Sequence, residues 1–162
     1  MKAKSMNGKS LNEIKTSLEK SLEGGFRPTL DKINVVPQDF GRVLLNLINN
    51  AFYAVDKKAK ENVDGYRPEI TVSTKHVPLS EGAKGEDKIE ISVKDNGPGI
   101  PEQIRDKIFQ PFFTTKPTGS GTGLGLSLSY DIVKAHEGEL KVEAKENEGS
   151  EFIITIPLAQ QV

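Results

Sequence analysis

Apolar residues recur along the chain with two different periods, and these periods predict its elements. From residue 38 to about 60, apolar side chains return every three or four positions, as an amphipathic helix requires. Pro37 suits the first position of that helix, where its missing N–H costs nothing. Apolar and polar residues alternate at 70–74 and again at 89–93, which predicts two half-buried strands.

The remaining pattern predicts a single domain preceded by a short appendage. Further elements are expected as follows: a strand at 30–36, a short helix begun by Pro101, a helix with Leu124, Leu128, Ile132 and Ala135 on one face, and two paired antiparallel strands at 140–144 and 152–157. Between Leu11 and Leu22, apolar residues at helical spacing indicate one more short helix. We therefore predict a polar N-terminal segment with a short amphipathic helix, residues 1–25, and one domain, residues 26–162.

One stripe of the long helix is polar, although most of its circumference is apolar. Arg42, Asn46 and Asn50 follow one another at four-residue spacing, and Tyr53 and Lys57 lie one step round the helix. Asparagine is a mediocre helix former, and its amide costs free energy when it is buried without partners. These amides could bond to the neighbouring backbone or lie on a solvated face. Two of them in an otherwise apolar helix are better explained by contact with a polar ligand.

Composition and charge narrow the possible functions. The chain has 162 residues and a net charge of −1, so no strong field attracts it to nucleic acid or to an anionic membrane. It has no cysteine, which excludes disulfides and thiolate metal sites, and its two histidines are too far apart to suggest a zinc pair. No apolar run approaches the roughly 20 residues of a membrane span. We expect a soluble, cytoplasmic chain.

The stretch from Asp95 to residue 126 holds the candidate chemistry. Asp95 ends an apolar strand and is followed by Gly97 and Gly99, which allow the backbone to approach a flat ligand. Its carboxylate could accept a hydrogen bond from an exocyclic amine. The glycines at 119–125 then offer backbone N–H groups at a helix N-terminus, where anions bind. An ordinary turn and a mobile surface loop are the alternatives, and neither the dinucleotide nor the P-loop spacing is present.

Between these glycine clusters lies a segment with three phenylalanines and a lysine. Phe109, Phe112 and Phe113 would be costly to leave in water, so some of them must anchor the segment on the core. Lys116 follows them, at a position from which a cationic side chain could reach terminal phosphates. An anchored stem with a glycine-rich middle is typical of a lid that orders over a nucleotide.

Together these stretches resemble the catalytic and ATP-binding domain of bacterial two-component sensor histidine kinases, in the superfamily that also holds DNA gyrase and the mismatch-repair ATPases. Residues 45–51 resemble its N box, 95–100 its first glycine box, 109–116 its F box and 121–126 its second glycine box. The resemblance covers about residues 30–158. It implies an α/β two-layer sandwich of the Bergerat type, with a mixed, mostly antiparallel sheet of about five strands and three helices on one face.

The same resemblance implies a site for ATP and Mg²⁺. Asn50 would coordinate Mg²⁺ and Asp95 would hold the adenine amino group. Asn46 would support the phosphates, and Lys116 would cover them with the glycine-rich lid, so these two are the candidate catalytic residues. The full set of implied nucleotide contacts is Asn46, Asn50, Tyr53, Asp95, Gly97, Gly99, Ile100, Phe109, Thr115, Lys116, Gly121, Thr122, Gly123, Leu124 and Gly125.

Two departures from the family pattern bear on the reaction. Asn46 stands where hydrolysing members of the superfamily carry a glutamate base, and an amide cannot deprotonate water, so transfer is favoured over hydrolysis. Tyr53 stands where many histidine kinases have a basic residue, which shifts phosphate neutralisation onto Lys116 or Lys57.

Neither histidine fits the phosphoacceptor of these kinases, because His76 is on a strand pattern and His136 is at a helix end. The resemblance therefore implies a kinase whose acceptor lies on a separate or missing dimerisation domain, with a response regulator as the further partner. A non-catalytic module whose lid signals the nucleotide state to a partner is the alternative. No nucleic-acid or membrane contact is expected, and the chain is expected to be a monomer.

Overall fold

The computed structural model describes residues 33–78, 87–117, 119 and 121–158. Within them the helices are α1 (Pro37–Lys60), α2 (Glu102–Arg105) and α3 (Gly125–Ala135), and the strands are β1 (Ile70–Val77), β2 (Lys88–Asp95), β3 (Glu139–Lys145) and β4 (Gly149–Pro157). The predicted N-terminal helix lies outside the described residues, as does most of the loop between β1 and β2. No helix of the described part is long and apolar enough to cross a membrane.

The strands form one sheet in the order β1-β2-β4-β3, and each neighbouring pair is antiparallel. The two-layer α/β architecture is thus confirmed, but the described sheet has four strands rather than about five and contains no parallel pair. The missing strand was predicted at 30–36, of which only 33–36 are described, and these are irregular. The Val36 N–H donates to Nε2 of His136 at 3.0 Å, so the backbone here is tied to a side chain.

Helix α1 supplies one side of the core. Its predicted apolar face is confirmed, because Phe40, Val43, Leu47, Ile48, Ala51, Phe52 and Val55 are all buried. All of them except Val55 pack in one cluster with the inward residues of β2 and β4, among which Val93 lies opposite Phe152 in the register. Burial of each large apolar side chain contributes about 1.5–3 kcal/mol. This packing holds one long face of α1 against the sheet. The polar stripe of α1 then lies beside this buried face.

Helix α3 is present as predicted, but its buried face differs from the predicted one. Leu128 is 52% exposed, whereas Ser127, Ser129 and Val133 are buried. The reason is local hydrogen bonding: Ser129 Oγ donates to the carbonyl of Gly125 at 2.8 Å and accepts from Asn46 Nδ2 at 3.3 Å. Small hydroxyl residues therefore face α1, and the polar sides of the two helices meet.

Candidate functional site

A cavity of about 540 Å³ lies between α1, the loop after β2, the segment 113–116 and the first turn of α3. Most of the predicted site residues line it: Asn46, Asn50, Tyr53, Asp95, Gly99, Ile100, Thr115, Lys116, Gly121, Thr122, Gly123 and Gly125. Residues that are far apart in the sequence are thus brought to one place. Their roles towards a nucleotide stay predictions.

Three predicted residues do not line the cavity and have other contacts. Phe109 stacks on Tyr130, with ring centres 5.5 Å apart, and packs against the core. Leu124 immediately precedes α3 and its carbonyl accepts a hydrogen bond from Ser127 Oγ at 3.1 Å. Gly97 is buried beside the site, where an added Cβ would lie 2.8 Å from Ala54 Cβ. All three would therefore affect a bound nucleotide only by positioning the residues beside them.

The buried carboxylate of Asp95, which is 4% exposed, lines the cavity. Its Oδ1 accepts the Gly97 N–H at 2.8 Å, and its Oδ2 accepts Ser150 Oγ at 2.9 Å. Burial raises the pKa of this carboxyl, while hydrogen bonds from the Gly97 N–H and from the side chain and backbone of Ser150, together with the charge of Lys58, act in the opposite direction. The oxygens retain lone pairs, so the group can accept a further hydrogen bond from a ligand amine.

The polar stripe of α1 forms one wall of the cavity. Asn46, Asn50, Tyr53 and Lys57 line it. Arg42 does not, because its side chain is 73% exposed and pairs with Asp39 at 3.6 Å. The stripe therefore lines the cavity over its last three turns but not at its start, and its contact with a polar ligand stays a prediction.

Asn46 also joins two elements. Its Nδ2 donates to the Gly125 carbonyl at 3.2 Å as well as to Ser129 Oγ. The two acceptors lie in the first and second turns of α3, and the first turn carries the backbone N–H groups that an anion would meet. Asn46 thereby fixes this turn relative to α1.

Lys116 reaches into the cavity from the lid stem and contacts α1. Its Nζ donates to Oδ1 of Asn50 at 2.9 Å and lies 4.6 Å from the centre of the Tyr53 ring, within cation–π range. Burial lowers the pKa of the Lys116 ammonium. The aromatic residue at position 53 thus holds a cation that comes from the lid.

The part of the cavity around Asn50 fits a Mg²⁺ ion that takes most of its ligands from phosphate oxygens and water. The described residues contain no group of three His, Cys, Asp or Glu side chains that could hold a metal by themselves. Asn50 Oδ1 is a hard oxygen donor, and its bond to an ammonium shows that it faces a position suited to positive charge. Mg²⁺ commonly takes one or two protein oxygens together with phosphate oxygens and waters. Asn50 would hold it in that way.

Gly123 and Phe112 define the base of the lid. Gly123 has φ +70°, and an added Cβ would lie 2.4 Å from the Phe112 carbonyl carbon. Phe112 itself has φ 66° and is 75% exposed, whereas Phe109 and Phe113 pack against the core. The prediction that some of the three phenylalanines anchor the segment is confirmed.

Sequence reasoning missed the residues that hold the loop after Asp95 in place. Lys58 Nζ donates to the carbonyls of Asn96 at 3.1 Å, Gly97 at 3.1 Å and Asn147 at 2.7 Å. The Asn147 N–H donates to the Pro98 carbonyl at 2.7 Å, so the β3–β4 turn closes against the loop after β2. In the sequence, Lys58 reads as one of several lysines at a helix end. Its long-range partners leave no local signal.

The two-layer fold, with a buried carboxylate and an amide–ammonium pair that line one cavity, defines a nucleotide-binding domain. Residues 35–160 match the family of histidine kinase-, DNA gyrase B- and HSP90-like ATPases, and the chain belongs to that family.

Among curated proteins, the chain is 37% identical over 132 residues to the signal transduction histidine-protein kinase AtoS of Escherichia coli, covering 82% of this chain and 19% of that protein. It is 35% identical over 124 residues to sporulation kinase E of Bacillus subtilis, covering 76% and 14%, respectively. The chain thus spans less than a fifth of these relatives. The solved catalytic domain of the histidine kinase ThkA, nucleotide free, is 29% identical, with a TM-score of 0.61 and coverage of 99% of this chain and 100% of that chain.

Proposed function

We propose that this chain binds Mg-ATP and donates its γ-phosphoryl group to a histidine on a separate or missing dimerisation domain. The observation that carries the proposal is one cavity lined both by the Asp95 carboxylate and by the Asn50–Lys116 pair. The carboxylate suits an exocyclic amine of a base, and the pair suits phosphates with their metal. A base and a polyphosphate joined by ribose satisfy both groups together.

Each residue has a distinct task in this proposal. Asp95 accepts the adenine amino group, and Asn46 positions the first turn of α3 so that its N–H groups face the phosphates. Lys116 neutralises phosphate charge as the bond from phosphorus to the ADP oxygen breaks and a bond to the acceptor nitrogen forms. Mg²⁺, when bound, supplies further neutralisation of that charge. With an amide at position 46, the chain offers no carboxylate base there to activate water.

The acceptor is placed outside this chain. His76 Nε2 lies 3.0 Å from Asp87 Oδ2, on the sheet. His136 Nε2 accepts the Val36 N–H, while its Nδ1 lies 2.8 Å from the Ile132 carbonyl. Both imidazoles have structural partners, and neither lines the cavity. We therefore propose a partner domain that carries the acceptor and, through it, a response regulator, with this chain acting as a cytoplasmic monomer.

Transfer can be tested with labelled ATP. The domain is incubated with the dimerisation domain of a related histidine kinase and γ-labelled ATP, with Asn50→Ala as the control. An acid-labile phosphoprotein that depends on Asn50 is expected. Binding of a non-hydrolysable ATP analogue without transfer to any histidine partner would instead favour the non-catalytic module, and absence of binding would contradict both.

A further inference from the structure

The contact between Lys116 and Asn50 has a consequence for the order of events in the site. The ammonium of Lys116 occupies Oδ1 of Asn50, at 2.9 Å, which is the oxygen that the proposed function gives to Mg²⁺. An amide oxygen that accepts an ammonium cannot at the same time coordinate a metal along the same lone-pair direction. The oxygen proposed to bind the metal therefore already has a cationic partner, and that partner is the Lys116 side chain.

Several contacts hold Lys116 in this position. The Tyr53 ring faces the ammonium at 4.6 Å, and the Lys116 backbone N–H donates to Thr114 Oγ1 at 3.1 Å. An added Cβ on Gly121 would lie 3.1 Å from Lys116 Cδ, so the lid backbone passes directly over the lysine stem. The side chain is half-buried, in contrast to Lys57, which also lines the cavity but is exposed.

We propose that Lys116 is a placeholder for the metal: it occupies the Asn50 oxygen before the metal binds and is displaced to the phosphates when the metal binds. This inference rests on the proposed function. It assigns Tyr53 and Asn50 a shared task, because together they hold the lysine away from the phosphates until the metal arrives. The lysine is then a positioning residue for the metal as well as a phosphate contact.

The proposal makes an unusual prediction for binding without metal. In EDTA, Asn50 has no metal to hold, so Asn50→Ala frees Lys116 to pair with phosphate. We expect Asn50→Ala to lower the Kd of ADP in EDTA by about threefold. The reason is that Lys116 no longer has to give up its hydrogen bond to Asn50 before it pairs with phosphate. With Mg²⁺ present, the same substitution should weaken ADP binding. The double variant Asn50→Ala/Lys116→Met should show no gain in EDTA.

Isothermal titration calorimetry of ADP in EDTA and in Mg²⁺ measures these values for the wild type, both single variants and the double variant. Lys107→Met is the control for loss of one lysine charge, because Lys107 is exposed and does not line the cavity, and adding it to Asn50→Ala should leave the gain in EDTA in place. Unchanged or weaker ADP binding by Asn50→Ala in EDTA would overturn the placeholder, as would a gain that persists in the double variant.

A second measurement needs no nucleotide. In the nucleotide-free protein, Lys116→Met should shift the NMR signal of the Asn50 side-chain amide, and Lys107→Met, at an exposed position outside the cavity, should leave it in place. Equal shifts, or none, would also overturn the proposal. Failure of the proposed nucleotide site is distinguishable, because the wild-type protein would then not bind Mg-ADP at all. Failure of transfer alone would leave these binding values unchanged. Wild-type binding of Mg-ADP with no gain in Asn50→Ala would refute the placeholder alone.

Discussion

At the scale of single residues, Asp95 shows how a ligand-binding group reduces the stability of the free protein. The carboxyl is buried, and burial raises its pKa, because the ionised form loses hydration that the Gly97 and Ser150 hydrogen bonds replace only in part. A raised folded-state pKa means that the ionised group disfavours folding above that pKa. The cost disappears as the pH falls through the folded-state pKa and the group is protonated.

Asp95→Asn should therefore stabilise the nucleotide-free protein at neutral pH. The amide oxygen can still accept the Gly97 N–H, and the amide nitrogen can donate to Ser150 Oγ, so the neutral group keeps its neighbours. We expect a gain of about 1 kcal/mol in the free energy of unfolding at pH 7.5. The gain should shrink under acid conditions. Urea denaturation as a function of pH measures it, and the exposed Asp64→Asn is the control; a loss of stability at pH 7.5 would contradict the argument.

The residues that sequence reasoning identified are those whose chemistry is visible locally. Asn50 interrupts an apolar helix and Asp95 ends an apolar strand, so each departs from the pattern around it. Ser150 was missed because its contact depends on register: it lies opposite Asp95 in the pairing of β2 with β4. Phe109 was assigned to the ligand although it packs on Tyr130, because an aromatic residue next to a glycine-rich loop looks the same in either role.

At the scale of elements, the contact between α1 and α3 is polar where it borders the site. Asn46 donates to Gly125 and Ser129 across this contact, in place of an apolar side chain. Partly buried amides are tolerated when their hydrogen bonds are satisfied. The arrangement leaves the N-terminus of α3 close to the stripe that carries Asn50.

Asn46→Ala should loosen the first turn of α3 more than it destabilises the whole protein. It removes two hydrogen bonds at the helix start, so we expect a loss of about 1 kcal/mol in the free energy of unfolding. Hydrogen exchange should become faster at the Leu128 amide, which bonds to Leu124. Asn49→Ala, an exposed change on the same helix, should have little effect on either measurement. Equal exchange rates in the two variants would show that Asn46 does not hold the turn.

Lys58 connects three elements, so we expect its removal to destabilise the protein more than the removal of the Asn46 amide does. Its ammonium bonds to two carbonyls after β2 and to one in the β3–β4 turn, and charge-assisted bonds contribute about 1.5–3 kcal/mol each before the cost of burial. Lys58→Met should lower the free energy of unfolding by about 2 kcal/mol in urea denaturation. Lys57→Met, at the neighbouring exposed position, should lower it by less than about 0.5 kcal/mol. Similar values for the two variants would refute the role of Lys58.

Where sequence and structure disagree over elements, tertiary contacts decide. The period of α1 predicted its buried face correctly because one continuous core covers it. The face of α3 was predicted wrongly since α1 presents an asparagine there, and a hydroxyl residue fits that partner better than leucine does. A tertiary contact also replaces strand pairing at residues 33–36, the described part of the strand expected at 30–36. There the Val36 N–H donates to the His136 side chain.

At the scale of the whole molecule, the residues that line the cavity come from distant parts of the chain. Asp95 is fixed by the pairing of β2 with β4, whereas Lys116 and the glycines belong to the segment between α2 and α3. A ligand that contacts both Asp95 and Lys116 links these parts, and binding to the folded state alone stabilises the fold by about 2.7 kcal/mol at one hundred times Kd.

Thermal unfolding of variants should therefore separate the contributions of Asp95 and Asn50. Mg-ADP at about one hundred times Kd is expected to raise the wild-type Tm by several degrees, as a gain of about 2.7 kcal/mol implies for a domain of this size. Asp95→Asn should lose this rise at the same ligand concentration, although its fold is intact and more stable without ligand. Asn50→Ala should lose only the portion of the Tm rise that depends on Mg²⁺. A wild-type rise in Asp95→Asn would place the adenine elsewhere, and an undiminished Mg²⁺ effect in Asn50→Ala would place the metal elsewhere.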